Sequence, residues 1–392
     1  MKVVHLNTNV SGGAATACLR LHRALLEAGV DSRVLTLKQG ITGDPRISSW
    51  EAFQGRGFHR KDFWNRVRNR MSTLGKPSFF FSGPYSVFPV ETHPWVQEAD
   101  IVNLHWVAKF IDYRRFFQTE KHYVWTLHDM QPFSGGYHYP GGLNFKAYQR
   151  LIARNEALKR KALEHIRLQP VAPSAWLAEK AEASAVFSGR SCAIIANCID
   201  TRIFKPGNIH ELRRDLGWPD DKKVLLFLAE NLDEPRKGFS LLAEALHGMK
   251  LRDIQLVAVG KSPQGLEGLP FIHIPFTTDE HKLARVYAAA DYYITPSLED
   301  NLPNTVMEAL ACGTPVIAFH TGGIPEMVQH GENGFICAHP DAASLRLQIE
   351  NALSDAHMAI HSQQAADSVR ERYNFPIIAQ AYLNLYRKFP TT

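Results

Sequence analysis

The chain has 392 residues, of which 45% are hydrophobic and 21% charged, and its formal net charge is +5. This composition excludes collagen, long disordered chains and repeat arrays, and the length predicts two domains. The mild positive charge favours an anionic ligand or an acidic surface, and it does not require nucleic acid.

Short β-branched runs alternate with helical patterns from the start of the chain. A first strand at residues 3–8 precedes residues 14–28, whose apolar positions recur at helical spacing until Gly29 ends the pattern. The further strands predicted in this half are 32–37, 101–106, 123–128 and 170–174. Apolar strands bounded by helices indicate parallel βαβ units with both sheet faces covered.

The alternation restarts after a turn-rich stretch at residues 197–208. The strands predicted beyond it are 224–229, 254–260, 271–275, 292–296, 315–319 and 334–338. We therefore predict an α/β fold of two facing, Rossmann-like, doubly wound domains with a cleft between them. The expected domains are residues 1–200 and 201–373, and an amphipathic helix within 374–392 is expected to pack back on the first domain.

The cysteines and the hydropathy pattern point to the cytoplasm. The five cysteines are scattered, odd in number and form no CxxC pair, so we expect reduced thiols and neither a disulfide framework nor a zinc site. No run approaches the roughly 18 apolar residues that span a membrane. The first residues, MKVVHLNTN, resemble a strand and lack the apolar core of a signal peptide.

The segment most informative about function is residues 297–319, SLEDNLPNTVMEALACGTPVIAF. It predicts a strand end, a loop and a helix that begins near Asn304 and stops at Gly313. Loops at the carboxyl ends of parallel strands bind ligands, and the positive end of a helix suits a diphosphate. Asp300 and Glu308 would repel phosphate, so as ligands they suit the hydroxyls of a sugar.

Two further segments suit phosphate groups. Gly12 and Gly13 lie between the first strand and the first helix, where glycine lets the backbone approach an anion closely. Arg236 and Lys237 precede Gly238 after the first strand of the second half and offer a planar fork and a point charge. Neither segment is a GxGxxG fingerprint or a P-loop.

The carboxylate-x7-Glu pattern followed by ALACGTPV resembles the retaining GT-B glycosyltransferases of family 4, also called group 1. The resemblance implies that Asp300 holds hydroxyls of the donor sugar and that Glu308 holds the ribose of the nucleotide. The family usually has Glu at the first position, so the adjacent Glu299 remains the alternative to Asp300, which has the matching spacing.

The same resemblance implies roles for other residues. His128, which ends a predicted strand, is expected at the donor sugar, with Asp129 orienting it or capping the next turn and His105 as a second candidate. The expected catalytic residues are His128, Asp300, Arg236 and Lys237. The expected donor-binding residues are Gly12, Gly13, Arg236, Lys237, Gly260, Phe276, Asp300, Asn301, Leu302, Asn304, Thr305 and Glu308.

Residues 55–75 depart from the alternation, because arginines and lysines there are interleaved with Phe58, Phe63 and Trp64. One interpretation is a solvated helix or loop packed by its aromatic residues. The other is a basic, aromatic surface for anionic lipid or for a lipid-pyrophosphate acceptor. Nucleic acid is the least favoured partner of this segment.

The resemblance implies a retaining hexosyltransferase, and the cations of the expected site indicate that it needs neither a cofactor nor a metal ion. UDP-glucose is the favoured donor, and the expected acceptor is a lipid-linked glycan in exopolysaccharide or other surface-polysaccharide synthesis. The expected location is the cytoplasm, with peripheral contact at the inner face of the plasma membrane. The alternative is a sugar-nucleotide epimerase or hydrolase on the same scaffold.

Overall fold

The computed structural model describes residues 1–40, 43–72, 81–141, 143–249, 251–261 and 269–389. The chain divides into two compact units, Met1–Asn197 with Ile378–Thr392, and Cys198–Ile377. Each unit is built on one parallel sheet with helices in its crossover connections. The predicted α/β class with two Rossmann-like sheets is confirmed.

The sheet of the first unit has seven strands in the order β3-β2-β1-β4-β5-β6-β7. Its strands are β1 (Lys2–Asn7), β2 (Asp31–Thr36), β3 (Ile47–Ser49), β4 (Ile101–Leu104), β5 (His122–Thr126), β6 (Leu168–Ala172) and β7 (Ala193–Ile194). The chain moves outward from β1 in one direction and then restarts at β4 on its other side. This change of direction is a topological switch point, where open parallel sheets bind ligands beyond the carboxyl ends of their strands.

The helices of the first unit are α1 (Gly13–Glu27), α2 (Trp50–Gln54), α3 (Phe58–Ser72), α4 (Pro94–Glu98), α5 (Tyr113–Phe116), α6 (Phe145–Leu163) and α7 (Ala175–Glu182). In α1, the spacing of the apolar residues explains why this segment forms a helix. Cys18, Leu21 and Leu25 recur at helical spacing and are buried. Gly29, at φ 81°, follows the helix in a conformation that favours glycine.

The second unit has six strands in the order β10-β9-β8-β11-β12-β13. Its strands are β8 (Lys223–Asn231), β9 (Ile254–Lys261), β10 (Phe271–Pro275), β11 (Tyr292–Thr295), β12 (Val316–Phe319) and β13 (Gly334–Cys337). Its helices are α8 (Ile209–Leu216), α9 (Phe239–Leu246), α10 (Glu280–Ala288), α11 (Asn304–Ala311), α12 (Ala342–Leu353) and α13 (Met358–Arg372). Leu225, Phe227, Ile294 and Ile317 are fully buried or nearly so in a core that the strands share with α9 and α12.

The last helix, α14 (Phe375–Tyr386), contributes two tyrosines to the first unit. The amide of Asn103 donates a hydrogen bond of 2.9 Å to the Tyr386 hydroxyl, and the hydroxyls of Thr126 and Tyr382 lie 3.0 Å apart. Both tyrosine rings are buried. These bonds satisfy polar groups of the central strands β4 and β5.

The predicted strands are present, with ends that differ by at most two residues from the predicted ones. Two short edge strands, β3 and β7, were not predicted, because two or three residues carry no measurable alternation. The predicted strands 101–106 and 123–128 end earlier, at Leu104 and Thr126. His105 and His128 therefore lie just beyond their strands. Among the described helices, none combines the length and apolarity needed to cross a bilayer.

Candidate functional site

The loop after β11, residues 297–301, is held by hydrogen bonds between its own backbone and two other segments. The amide of Leu298 donates to the carbonyl of Arg236 at 2.8 Å. On the other side, the amide of Gly323 donates to the carbonyl of Asn301 at 2.6 Å, and the Thr321 hydroxyl donates to the carbonyl of Ser297 at 2.9 Å. The loop that carries Asp300 is therefore fixed at the carboxyl edge of the second sheet.

Two glycines permit this close approach. Gly238 and Gly322 have φ of 72° and 56°, in the region that side chains rarely adopt. A Cβ at Gly238 would lie 1.9 Å from the carbonyl oxygen of Pro296, and a Cβ at Gly322 would lie 1.5 Å from that of Asp300. Only glycine fits at either position.

Arg236, Lys237 and Asp300 form one charged cluster. The Lys237 Nζ lies 2.6 Å from Asp300 Oδ2, and Arg236 Nη1 lies 3.7 Å from the same oxygen. Burial alone would raise the pKa of the Asp300 carboxyl, but Lys237 and Arg236 beside it lower that pKa overall. Asp300 is therefore a carboxylate at neutral pH, and both cations lie within reach of one ligand group.

Asp300, one of the two acids considered for the donor sugar, contacts both cations through its carboxylate. Glu299 presents its backbone carbonyl, which accepts a 2.6 Å hydrogen bond from Arg236 Nη1. Arg236 Nε also pairs with Glu234 at 3.1 Å. Arg236 therefore stabilises the loop through the backbone carbonyl of Glu299, while Lys237 pairs with the Asp300 carboxylate.

Glu308 lies in the second turn of α11 and is 4% exposed. Its carboxylate accepts a hydrogen bond of 3.1 Å from the Tyr287 hydroxyl. Burial and the nearby Glu308 raise the pKa of Tyr287 well above its usual value, so the phenol keeps its proton and remains the donor. The contact holds one carboxylate oxygen of Glu308 in place.

The helix α11 begins at Asn304, as predicted, and Pro303 before it supplies no side-chain cap. Asn301 and Leu302 are buried, and Asn304 and Thr305 are half-buried in the first turn. The positive end of the helix dipole therefore lies directly after the loop of Asp300. The first turn of this helix and the cations of the cluster follow adjacent strands of the sheet, β11 and β8.

Gly260 and Phe276, two of the expected donor-binding residues, lie at the ends of β9 and β10. A Cβ at Gly260 would lie 2.4 Å from the carbonyl oxygen of Ala229 in β8, so glycine lets β9 approach β8 here. The Lys261 ammonium lies 4.9 Å from the centre of the Phe276 ring and 2.7 Å from a carboxylate oxygen of Glu230. Ser262, which follows Lys261, lies outside the described residues.

In the first unit, Gly12 and Gly13 occupy the turn between β1 and α1. Gly12 has φ 91°, and its carbonyl accepts the first helical hydrogen bond from Thr16 at 2.9 Å. A Cβ at Gly13 would meet nothing within 4 Å, so Gly13 keeps space open beside the helix start. Binding of a diphosphate by this turn stays a prediction.

His128 lies two residues beyond β5 and is half-buried. Its Nε2 is 3.0 Å from Nδ1 of His105, and the two rings stack with centroids 5.3 Å apart. Burial lowers the pKa of His128 to about 4, an effect that Asp129 partly opposes. The imidazole is therefore neutral at pH 7 and acts through hydrogen bonds, without a positive charge.

Asp129 caps the next turn, one of the two roles considered for it, because its carboxylate accepts from the Gln131 amide at 2.9 Å. It also pairs with His138 at 2.6 Å and accepts from the Trp106 indole at 2.8 Å. His138 and Trp106 were not predicted in this cluster. They lie 9 and 23 residues from Asp129 along the chain, and a single sequence carries no signal that joins them.

One group of buried side chains could hold a metal ion. His5, Cys18 and His105 each place a donor atom within 4.8 Å of the others. However, His5 Nδ1 and His105 Nε2 lie 3.0 Å apart, at hydrogen-bond distance, whereas two nitrogen ligands of tetrahedral zinc lie about 3.3 Å apart. Burial raises the pKa of the Cys18 thiol, which disfavours the thiolate that zinc needs. We interpret the group as a hydrogen-bonded pair of histidines beside a thiol.

The basic segment 55–75 forms α3 over most of its length, and residues 73–75 lie outside the described residues. Only Phe58 among its three aromatic residues is buried; Phe63 and Trp64 are 54% and 56% exposed. The interpretation of a helix packed by its aromatic residues is therefore wrong for Phe63 and Trp64. The helix is anchored instead by Phe58 and by Asn65, whose amide donates to the carbonyl of Lys109 at 2.8 Å.

Part of the second unit is similar to known proteins. Residues 222–355 match the family model described as Glycosyl transferases group 1. N-acetyl-alpha-D-glucosaminyl L-malate synthase of Bacillus anthracis is 25% identical over 200 residues, 49% of this chain and 52% of that protein. Phosphatidyl-myo-inositol mannosyltransferase of Mycobacterium leprae is 30% identical over 186 residues, 45% of this chain and 49% of that protein. The chain spans about half the length of the curated relatives it matches.

Solved structures match over the whole chain. Sucrose-phosphate synthase from Thermosynechococcus elongatus has a TM-score of 0.73 at 19% identity, with 99% of both chains covered. Anabaena HepE, solved in complex with UDP and glucose, has a TM-score of 0.68 at 17% identity, covering 99% of this chain and 100% of that one. At these identities the likeness shows the fold. The chain therefore has the GT-B fold, and residues 222–355 of its second unit match the model of the group 1 glycosyl transferases.

Proposed function

We propose that the chain is a glycosyltransferase that moves a hexose from a nucleotide-diphosphate sugar to a glycan acceptor. The observation that carries this proposal is the cluster of Arg236, Lys237 and Asp300 fixed beside the start of α11. Two cations and the positive end of a helix suit a diphosphate, and two buried carboxylates suit hydroxyl groups. All these residues lie within the segment that matches the family model.

The proposed reaction breaks the bond between the anomeric carbon and the diphosphate oxygen, which leaves with the bonding electron pair. The acceptor hydroxyl oxygen forms the new bond to that carbon and releases its proton to the departing phosphate. Lys237, Arg236 and the first turn of α11 stabilise the negative charge that develops on the diphosphate. These groups supply the positive charge, so the proposal includes no metal ion.

We propose retention of anomeric configuration through attack from the face of the leaving group. In the described part of the proposed donor site, Asp300 pairs with Lys237 and Glu308 accepts from Tyr287. Both acids therefore suit hydrogen bonding to hydroxyls better than covalent attack. In this proposal Asp300 holds the hexose, and Glu308 holds the ribose.

UDP-glucose is the donor we propose first. Anabaena HepE, which shares the fold, was solved with UDP-glucose, with 99% of this chain covered at 18% identity and a TM-score of 0.67. The names of the curated relatives include a glucosaminyl-malate synthase and a mannosyltransferase, which supports a hexose or hexosamine as the transferred group. A panel of UDP-, GDP- and ADP-sugars distinguishes these donors.

We further propose a lipid-linked glycan acceptor in surface or exopolysaccharide synthesis, reached by peripheral contact with an anionic membrane through α3. Phe63, Trp64 and Met71 on this helix are more than half exposed. Arg60, Arg66 and Arg70 are exposed on the same helix. Exposed aromatic and basic side chains on one helix suit the interface of an anionic bilayer.

The test is product analysis with each nucleotide sugar, with and without a membrane extract that supplies lipid-linked glycans. We expect hexose to appear on the extractable glycan with release of UDP, and only slow loss of donor without acceptor. Equal donor breakdown in the absence of acceptor, or conversion to an isomeric nucleotide sugar, would support a hydrolase or an epimerase instead. No consumption of any donor would contradict the proposal.

A further inference from the structure

Two arginines from different helices of the first unit lie against one buried tyrosine ring. The guanidinium carbon of Arg68, on α3, lies 5.2 Å from the centre of the Tyr85 ring, and that of Arg114, on α5, lies 5.9 Å from it. Tyr85 is 7% exposed, whereas the Arg68 side chain is 48% exposed and Arg114 is exposed. The buried ring therefore supports two positive charges at the surface, where a ligand can reach them.

Asn65 joins α3 to the two segments that carry Tyr85 and Arg114. Its amide donates to the carbonyl of Lys109 at 2.8 Å, and its side-chain oxygen accepts from the amide of Val87 at 3.2 Å. Among the described residues other than glycine, Lys109 alone has a positive φ, of 63°, and such a strained backbone persists where the surrounding contacts hold it. The two arginines and the ring are therefore held in place before any ligand binds.

In the described part of the chain, one carboxylate lies beside these two guanidinium groups. An oxygen of Asp112 lies 3.6 Å from a guanidinium nitrogen of Arg68, and the same carboxylate accepts from the backbone amides of Ser86 at 3.3 Å and Arg114 at 3.2 Å. The whole of α3 carries five arginines or lysines and one acid, Asp62. The surface around the two arginines therefore keeps an excess of positive charge, which favours an anion with more than one negative charge.

The neighbours of Arg68 on its face of α3 are exposed and apolar. Trp64 lies four residues before Arg68 and Met71 three residues after it, so the three side chains share one face of the helix. Trp64 is 56% exposed and Met71 is 72% exposed. A soluble phosphate needs no apolar contact, whereas the phosphate of a lipid lies directly above acyl chains that such side chains can enter. The anion that fits this surface is therefore part of a lipid.

We propose that Arg68 and Arg114 bind the phosphate group of a membrane lipid, and that they select a doubly charged group, such as a phosphomonoester, over a singly charged phosphodiester. The planar fork of each guanidinium group donates two parallel hydrogen bonds to phosphate oxygens. Trp64 and Met71 enter the interface beside the bound group. The inference rests on the membrane contact proposed for α3 and goes beyond it, because it names the lipid group and the residues that bind it.

The test is sedimentation of the full chain with two sets of vesicles. One set contains phosphatidic acid, whose headgroup is a phosphomonoester, and the other contains phosphatidylglycerol, a phosphodiester, each mixed with neutral phosphatidylcholine. The two sets are matched in zeta potential, so that non-specific attraction to the basic surface is equal. We expect the native chain to bind the phosphatidic acid vesicles about fivefold more strongly or better, because two guanidinium forks meet a doubly charged group there.

Lysine substitutions separate the fork from the charge. Arg68→Lys and Arg114→Lys each keep a positive charge and lose the fork, so each is expected to remove most of the preference while binding to phosphatidylglycerol persists. Arg66→Lys is the matched control, because Arg66 is 67% exposed on the same helix and pairs with Asp62 at 3.4 Å, and the preference should survive there. Arg68→Ala and Arg114→Ala are expected to be non-additive, because one lipid phosphate uses both side chains.

Three outcomes would overturn the proposal. One is equal binding of the native chain to both sets of vesicles, a result that needs no variant to fold. Another is a preference that survives in the Arg68→Lys/Arg114→Lys double variant. The third is a preference abolished by millimolar inorganic phosphate, which would make soluble phosphate a sufficient ligand. If the lipid preference behaves as expected while no sugar is transferred, the proposed function falls and the lipid site stands; sugar transfer without the preference has the opposite meaning.

Discussion

The Lys237 ammonium lies 2.6 Å from the Asp300 carboxylate, so the cation proposed for the diphosphate and the acid proposed for the sugar form one ion pair. Both side chains are largely buried, with 24% and 11% of their surface exposed. A bound diphosphate would compete with Asp300 for Lys237, and a sugar hydroxyl would then take the acceptor that Lys237 leaves. In the proposed function, this pair would couple recognition of the two halves of the donor.

Replacing Lys237 by alanine should reduce turnover by a factor on the order of 100 or more, since it removes a charge that stabilises the leaving diphosphate. Initial rates of UDP release at saturating donor and acceptor measure this effect. Lys282→Ala is the matched control, because Lys282 is 75% exposed on α10 and pairs only loosely with Asp279, at 3.9 Å. Turnover unchanged by Lys237→Ala would remove Lys237 from the proposed site.

Replacing Glu308 by alanine should chiefly weaken donor binding. Loss of a hydrogen bond between a ribose hydroxyl and a buried carboxylate is expected to raise the Kd for UDP-glucose by about 10- to 100-fold. Titration calorimetry measures the Kd directly. Tyr287→Phe is the matched variant, because it removes the 3.1 Å bond to Glu308 and keeps the carboxylate, so its effect should be smaller. A Kd that Glu308→Ala leaves unaltered would exclude the ribose role.

The protein should lose stability as the pH falls from 7 to 5. Burial lowers the pKa of His22 to about 4, although Asp44 opposes the shift, whereas the unfolded chain protonates near 6.5. Between these values the unfolded state binds more protons, so stability falls with pH. For His22 alone the loss at pH 5 is on the order of 2 kcal/mol.

Thermal unfolding across this pH range measures the effect. His22→Gln, which removes the titrating group, should make the dependence of Tm on pH shallower. His165→Gln is the control, because the side chain of His165 is 89% exposed. Parallel Tm profiles for native protein and His22→Gln would show that this histidine does not carry the effect.

The exposed aromatic residues of α3 should drive binding to anionic vesicles. Replacing both Phe63 and Trp64 by serine is expected to reduce sedimentation with phosphatidylglycerol vesicles by at least tenfold, because apolar area that inserts at the interface is lost. Leu347→Ser is the matched control, since Leu347 is 54% exposed on α12 of the second unit. Equal sedimentation of the native chain with neutral and anionic vesicles would contradict an electrostatic contribution.

Sequence patterns correctly predicted the elements that depend on neighbouring residues in the chain. The alternation of apolar runs located the strands that position the site, and the residues around Asn304 fixed the start of α11. Other contacts join residues that are far apart in the sequence. Lys237 pairs with Asp300 across 63 residues, and His5 lies at hydrogen-bond distance from His105 across 100 residues. Such contacts arise because parallel strands end at one edge of a sheet, and a single sequence does not say which side chains meet there.

Exposure was the other quantity that the sequence did not determine. Phe58, Phe63 and Trp64 look alike in the pattern, yet only Phe58 is buried. The difference arises because α3 packs against the core with only one face. Asn65, whose amide bonds to the Lys109 carbonyl, lies on that buried face. In a helix with little amphipathic periodicity, that face is decided by tertiary contacts.

In the proposed function, the second unit binds a nucleotide-diphosphate sugar through Lys237, Asp300 and Glu308 without a metal ion. A thermal-shift screen of UDP-, GDP- and ADP-sugars in the presence of EDTA tests it most directly, because a ligand that binds only the folded state raises Tm. We predict that UDP-glucose raises the Tm of the native chain in EDTA and not that of the Lys237→Ala/Glu308→Ala variant. No shift with any nucleotide sugar, or a shift that requires a divalent metal, would contradict the account.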